Sequence, residues 1–192
     1  MTTRRALSVL AIVVAIGLWP AVAQAQTTVE YRVLATSRTS TMQKEMQEAA
    51  AAGFRFGDVM GGDTSFGGSE VVVIMHRDGS PGRFDYRLLA TSRTSTMQKE
   101  MQEAGDAGFE YRGQTVFKST FGGKEVVTIL ERTADDRVPV PYEYRLLATK
   151  KTSTMQKELG EASEAGFEFV GMTVAKTAIG GEEVVAILRR KL

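Results

Sequence analysis

Three copies of one stretch decide the fold: ATSRTSTMQKEMQE at residues 35–48, the same letters at 90–103, and ATKKTSTMQKELGE at 148–161. Upstream of each lies a short run starting at Tyr31, Tyr86 or Tyr144 whose Tyr, Val, Leu and Thr suit a half-buried strand. A helix follows. Met42, Met46, Ala49 and Ala50 recur at helical spacing, as do Met97, Met101 and Ala104, and Met155, Leu159 and Ala162, so one face packs on the unit's own sheet. Ser40, Ser95 and Ser153 stand three residues before Gln43, Gln98 and Gln156, the spacing of a capping box. Gly53, Gly108 and Gly166 end the helices, each followed by a Phe able to fold back on the last turn.

Beyond each helix two more strands are expected. Aromatics alternate at Phe54 and Phe56, Phe109 and Tyr111, Phe167 and Phe169. Gly67-Gly68, Gly122-Gly123 and Gly180-Gly181 favour tight two-residue hairpins into EVVVIM, EVVTIL and EVVAIL. On that count Phe117 faces Thr128 and Val116 faces Ile129. Phe109, Tyr111, Thr115, Phe117, Val126 and Leu130 then lie under the helix, and Val116, Val127 and Ile129 make a second apolar face. One helix on a lone three-stranded sheet covers only one face. The expected fold is therefore α+β: three tandem strand–helix–strand–strand repeats with mainly antiparallel sheets. They form a pseudo-threefold compact arrangement, helices outside and second faces meeting inside.

The repeats span residues 28–77, 84–132 and 142–192, joined by Pro- and Gly-containing linkers at 77–83 and 133–141. Tyr31, Tyr86 and Tyr144 stand 55 and then 58 residues apart, a period that suggests tandem modules. At 43% hydrophobic and 24% charged residues, composition argues against disorder. Residues 1–25 read as a secretory signal: Arg4 and Arg5, an apolar run from Ala6 to Leu18, and a small-residue stretch ending at Ala25, with cleavage after Ala25 or Ala23. The run is short for a membrane span. The expected location is the bacterial periplasm or the medium, by Sec or twin-arginine export. With no cysteine, packing alone holds the fold. Removing Arg4 and Arg5 takes the formal charge from +1 to −1, which argues against a nucleic-acid or anionic-membrane binder.

No catalytic set, metal-ligand cluster or cofactor fingerprint emerges, so no catalytic residue, metal or cofactor is assigned. The only histidine, His76, matches Glu131 and Arg189 in the other copies and reads as an exposed strand-end residue. Glu45, Glu100, Glu158, Glu48, Glu103 and Glu161 share the helices with lysines, as on a solvated face. One constellation has ligand-binding chemistry, the helix entrances. These comprise Arg38, Ser40, Thr41 and Lys44; Arg93, Ser95, Thr96 and Lys99; and Lys151, Ser153, Thr154 and Lys157. Free N–H groups, hydroxyls and cations at a helix N-terminus suit an anion. Capping and solvation explain the same residue types without a ligand.

The repeats resemble a short bacterial domain type of unknown function, with an aromatic-x-Tyr strand, a helix ending Gly-Trp-Glu and a hairpin. Phe84-Asp85-Tyr86 and Tyr142-Glu143-Tyr144 carry the opening, and Gly108-Phe109-Glu110 and Gly166-Phe167-Glu168 the exit, with Phe for Trp. Val29-Glu30-Tyr31 matches in part, and Arg55 replaces the Glu. The strand order is also similar to dodecins and dodecin-like modules in topology, which does not carry the dodecin flavin over. The resemblance implies no activity. The expectation is an exported, non-enzymatic binding or protein-interaction module whose partner is an unknown protein, with self-association a further option. The alternatives are a small-anion or carbohydrate binder at the helix N-termini, or an enzyme with a site between repeats.

Overall fold

The computed structural model describes residues 28–65, 68–80, 82–118, 123–135, 138–176 and 181–192. The expected signal at residues 1–25 lies outside them, as do Gly67, Gly122 and Gly180. The first unit comprises β1 (Glu30–Thr36), α1 (Thr39–Ala51), β2 (Arg55–Thr64) and β3 (Gly68–Arg77). The second comprises β4 (Phe84–Thr91), α2 (Thr94–Asp106), β5 (Glu110–Lys118) and β6 (Lys124–Thr133). The third comprises β7 (Tyr142–Thr149), α3 (Thr152–Glu164), β8 (Glu168–Lys176) and β9 (Glu182–Lys191). Each unit is an antiparallel three-stranded sheet with its last strand in the centre, in the orders β1-β3-β2, β4-β6-β5 and β7-β9-β8. The central strands are near-continuous apolar runs, and β6 is covered on both its faces. The α+β class and the compact, threefold-repeated body are as the sequence leads one to expect.

The helix stops follow the sequence. Gly53, Gly108 and Gly166 have φ of 83°, 79° and 82°. The N–H of Gly53 reaches the Ala50 carbonyl and that of Phe54 the Ala49 carbonyl, and the other two units repeat the pattern. The starts differ from expectation. The helices begin at Thr39, Thr94 and Thr152, the capping positions are Arg38, Arg93 and Lys151, and no side chain caps them. Ser40, Ser95 and Ser153 are already inside the first turn, so the capping box does not form.

The hairpin register also departs from the two-residue count. Phe117 lies opposite Glu125 and Val116 opposite Val126, because Lys118 pairs with Lys124 and residues 119–123 connect the strands. The register along β6 moves by three residues. An odd shift exchanges the faces of β5, since side chains alternate with a period of two. A bulge between Tyr111 and Gly113 shifts the pairing once more, and β2 and β8 bulge at the same place.

The exchange decides how the units meet. Let the front of a sheet be the face bearing its own helix. In the second unit Leu89, Val126 and Leu130 lie at the front with Met97, Met101 and Phe109. Val127 and Ile129 lie at the back as expected, but Phe117 joins them there, with Tyr86 and Leu88. This back face shares one core with Met42, Met46, Phe56, Val71, Val73 and Met75 of the first unit. The front of the second unit likewise shares a core with Tyr144, Ala175, Val185 and Ile187 of the third. The second faces therefore do not meet one another; each packs on the front of the preceding unit. The reason is coverage. A helix of 13 residues lies over the first-strand side of its sheet, leaving Phe56 and Val59 on β2 for the next sheet to cover. Helix α1 then touches β4, and α2 touches β7.

Candidate functional site

Two kinds of surface come out of this arrangement: junctions between units and open outer faces. At the first junction the Tyr86 hydroxyl accepts the Phe56 N–H at 2.7 Å and donates to Glu131 Oε2 at 2.7 Å. Arg55 Nη2 holds the other Glu131 oxygen at 2.8 Å, and Glu131 is buried. At the second junction the Tyr144 hydroxyl accepts the Tyr111 N–H at 2.6 Å and donates to the Phe109 carbonyl at 3.0 Å, while Arg189 pairs with Glu110. The ion pair has reversed sign, from Arg55–Glu131 to Glu110–Arg189. The hydrogen bond to Glu131 is the main reason that Arg55 has its pKa raised.

Each junction also satisfies a sheet edge. Gln43 Oε1 accepts the Leu88 N–H at 3.0 Å, and Gln47 Nε2 donates to the Tyr86 carbonyl at 2.7 Å. Gln98 accepts from Leu146 N–H at 2.7 Å and donates to the Tyr144 carbonyl at 2.8 Å; Gln102 accepts from Tyr144 N–H at 2.9 Å. The edge strands β4 and β7 thus receive helix side chains where another strand would otherwise pair. Sequence reasoning assigned Gln43 and Gln98 to capping and missed this role. The available signal was the pair Gln43/Gln47 and Gln98/Gln102 one turn apart. The third unit keeps Gln156 but has Gly160 at the second position.

The sequence-derived entrance residues sit where the spacing puts them, at three separate helix starts. Arg38, Ser40, Lys44, Arg93, Ser95, Thr96, Lys99, Lys151, Ser153 and Lys157 are exposed, with Thr41 and Thr154 half-buried. Lys44, Lys99 and Lys157 lie 3.8, 3.9 and 3.6 Å from Glu48, Glu103 and Glu161 one turn on. At the start of α2 the Thr94 hydroxyl donates to Glu183 of the third unit at 2.7 Å, so the protein supplies a carboxylate of its own there. His76 is half-buried opposite Tyr31 and Arg55. Among the described residues no three His, Asp or Glu side chains converge as metal ligands, and no helix is long and apolar enough to cross a membrane.

The open faces contrast sharply with the junctions in exposure. Tyr86 and Tyr144 are 1% and 2% exposed, whereas the equivalent Tyr31, on the back of the first unit, is 70% exposed. Val71 and Val126 are 0% and 2% exposed, whereas Val184, on the front of the third unit, is 38% exposed. Phe56 is buried and its equivalent Phe169 is 53% exposed, beside the exposed Met172 and Val174. Met155 and Leu159 on α3 are only partly buried, unlike the methionines of α1 and α2. The two ends are not matching halves. Phe56 fits against Gly113, where an added Cβ would lie 3.1 Å from the ring, and Tyr111 fits against Gly171. The corresponding residue on the back of the first unit is Asp58, exposed and holding its own Val59 N–H at 2.7 Å. Comparison with protein families, with curated proteins and with solved structures gives no match for this chain.

Proposed function

We propose that this is an exported, non-enzymatic interaction module that docks another polypeptide on the front of its third unit. The observation that carries the reading is the face of Phe169, Met172, Val174 and Val184, whose equivalents in the first two units are covered by a following sheet. An apolar face left over from a repeated packing rule marks an interaction surface. By the same rule, the partner presents a β-sheet face with glycine-sized room opposite Phe169. A second copy of this chain offers Asp58 at that place, which favours a different polypeptide. Export is supported by Arg4, Arg5 and the apolar run that follows them.

The test places a photo-crosslinking residue at position 172 and, as a control, at exposed position 44 in cells of the source. The reading expects protein adducts at 172 and few at 44. Absence of adducts at 172 would overturn it. So would turnover in a hydrolase and oxidoreductase screen that one substitution within a unit abolishes.

A further inference from the structure

The two junctions use equivalent positions but fill them differently. At the first, Gly61 of β2 lies against β5: an added Cβ would sit 2.9 Å from Phe117 Cβ and 3.0 Å from Thr115 Oγ1. The two strands close tightly, and Phe117 is buried between the units. At the second, the residue in the place of Gly61 is Val116, and that in the place of Phe117 is Ala175. Bulk is added on the strand that needs to be thin, and the filling ring is removed. The result is a cleft of about 460 Å³ between the second and third units. Gln114, Val116 and Val126 line it from one side, Thr173 and Ala175 from the other.

Two polar atoms in this lining are buried without a hydrogen-bond partner: Gln114 Oε1 and Thr173 Oγ1. Thr173 is only 7% exposed. The Gln114 amide nitrogen is engaged by the Met172 carbonyl, which leaves the oxygen as an acceptor with nothing to accept. At the first junction the residue in the place of Gln114 is Val59, so the orphaned amide belongs to the open junction alone. A buried acceptor without a donor is costly, and its presence beside an apolar cleft points to a partner from outside the chain.

We infer that this cleft binds a small apolar molecule bearing one hydroxyl group, such as an alkyl phenol or a medium-chain alcohol. Its O–H donates to Gln114 Oε1 and its oxygen accepts from the Thr173 hydroxyl. The alkyl part lies along Val116, Val126 and Ala175. The volume falls in the range of small-molecule sites, roughly 300–1,000 Å³. Lys124 and Glu182 also line the cleft but neutralise one another at 3.2 Å, so the ligand needs no charge. Water can satisfy the two polar atoms but gains nothing from the apolar walls. Met172, Val174 and Val184 of the docking face border the same cleft. The hydroxyl contacts, however, are made at Gln114 and Thr173 and need no docked polypeptide.

The test is a titration of the whole protein with 4-propylphenol, followed through the methyl resonances of Val116, Val126 and Ala175. Saturable shifts are expected. Ala175→Phe, which restores the ring found at Phe117, should abolish them. Gln114→Val, which restores the residue found at Val59, should weaken 4-propylphenol about tenfold, the worth of one hydrogen bond, and leave propylbenzene unchanged. Absence of saturable shifts in the wild type would mean that only water enters, and would overturn the proposal. Equal loss of both probes in Gln114→Val would overturn the assigned hydroxyl contact even if Ala175→Phe fails to fold.

Discussion

Tyr86 uses a single oxygen to fasten two units, accepting a backbone N–H from one and donating to a buried carboxylate of the other. Burial, and then the neighbouring Glu131 charge, push its hydroxyl well above the ordinary phenol range. Burial does the same to Tyr144, and pushes Tyr111 up to about 12. A phenol whose pKa is higher folded than unfolded holds its proton longer in the native state. Its contribution is therefore complete below the unfolded pKa of about 10 and is lost as pH rises toward the folded value. The urea midpoint should stay level to about pH 10 and then fall, more steeply for wild type than for Tyr86→Phe. A level midpoint up to about pH 12 would show that these hydroxyls are not buried as described. Tyr31, Tyr86 and Tyr144 carry the same side chain at the same place in the repeat. All three read as strand residues, and among the described residues a neighbouring unit covers Tyr86 and Tyr144 but not Tyr31.

At the scale of the element, helix ends were legible and helix starts were not. A glycine followed by Phe after an apolar stripe has one inexpensive conformation, and the chain adopts it three times. The Ser–Gln spacing had two uses. The capping box fails in all three helices because the serine already lies inside the first turn; in α1 and α2 the glutamine instead serves the strand edge of the next unit. The hairpins were misjudged for a similar reason. A Gly-Gly pair suits a two-residue turn, but pairing ends farther from it, at Lys118 and Lys124, and the odd shift swaps the faces. The glycine ends give a graded prediction. Gly166→Val should cost about 1–2 kcal/mol, the strain of a left-handed residue, because the nearest atom to its added Cβ is Arg190 Cδ at 3.6 Å. Gly108→Val should cost distinctly more, because its Cβ also runs into Pro139 of the second linker. Equal losses by thermal unfolding would mean that this linker yields freely.

For the whole molecule, two apolar sheet faces per unit pointed to a compact body, which is what the chain forms. They led wrongly to second faces meeting inside, since the face that meets depends on the parity of a register. The outcome is a directional stack, with front on back twice and two unlike faces left over. The first and third units also differ at Asp58 and Gly160, positions held by glycine and by glutamine where a junction forms. The repeated tyrosine tests this arrangement most directly, because one residue type occupies one position in three units. Unfolding free energies should be measured for Tyr31→Ala, Tyr86→Ala and Tyr144→Ala. The stack predicts losses of about 3–5 kcal/mol at Tyr86 and Tyr144, the cost of emptying a buried aromatic site, and less than about 0.5 kcal/mol at Tyr31. A loss at Tyr31 as large as at the other two would mean that the back of the first unit is covered, and would contradict the open stack.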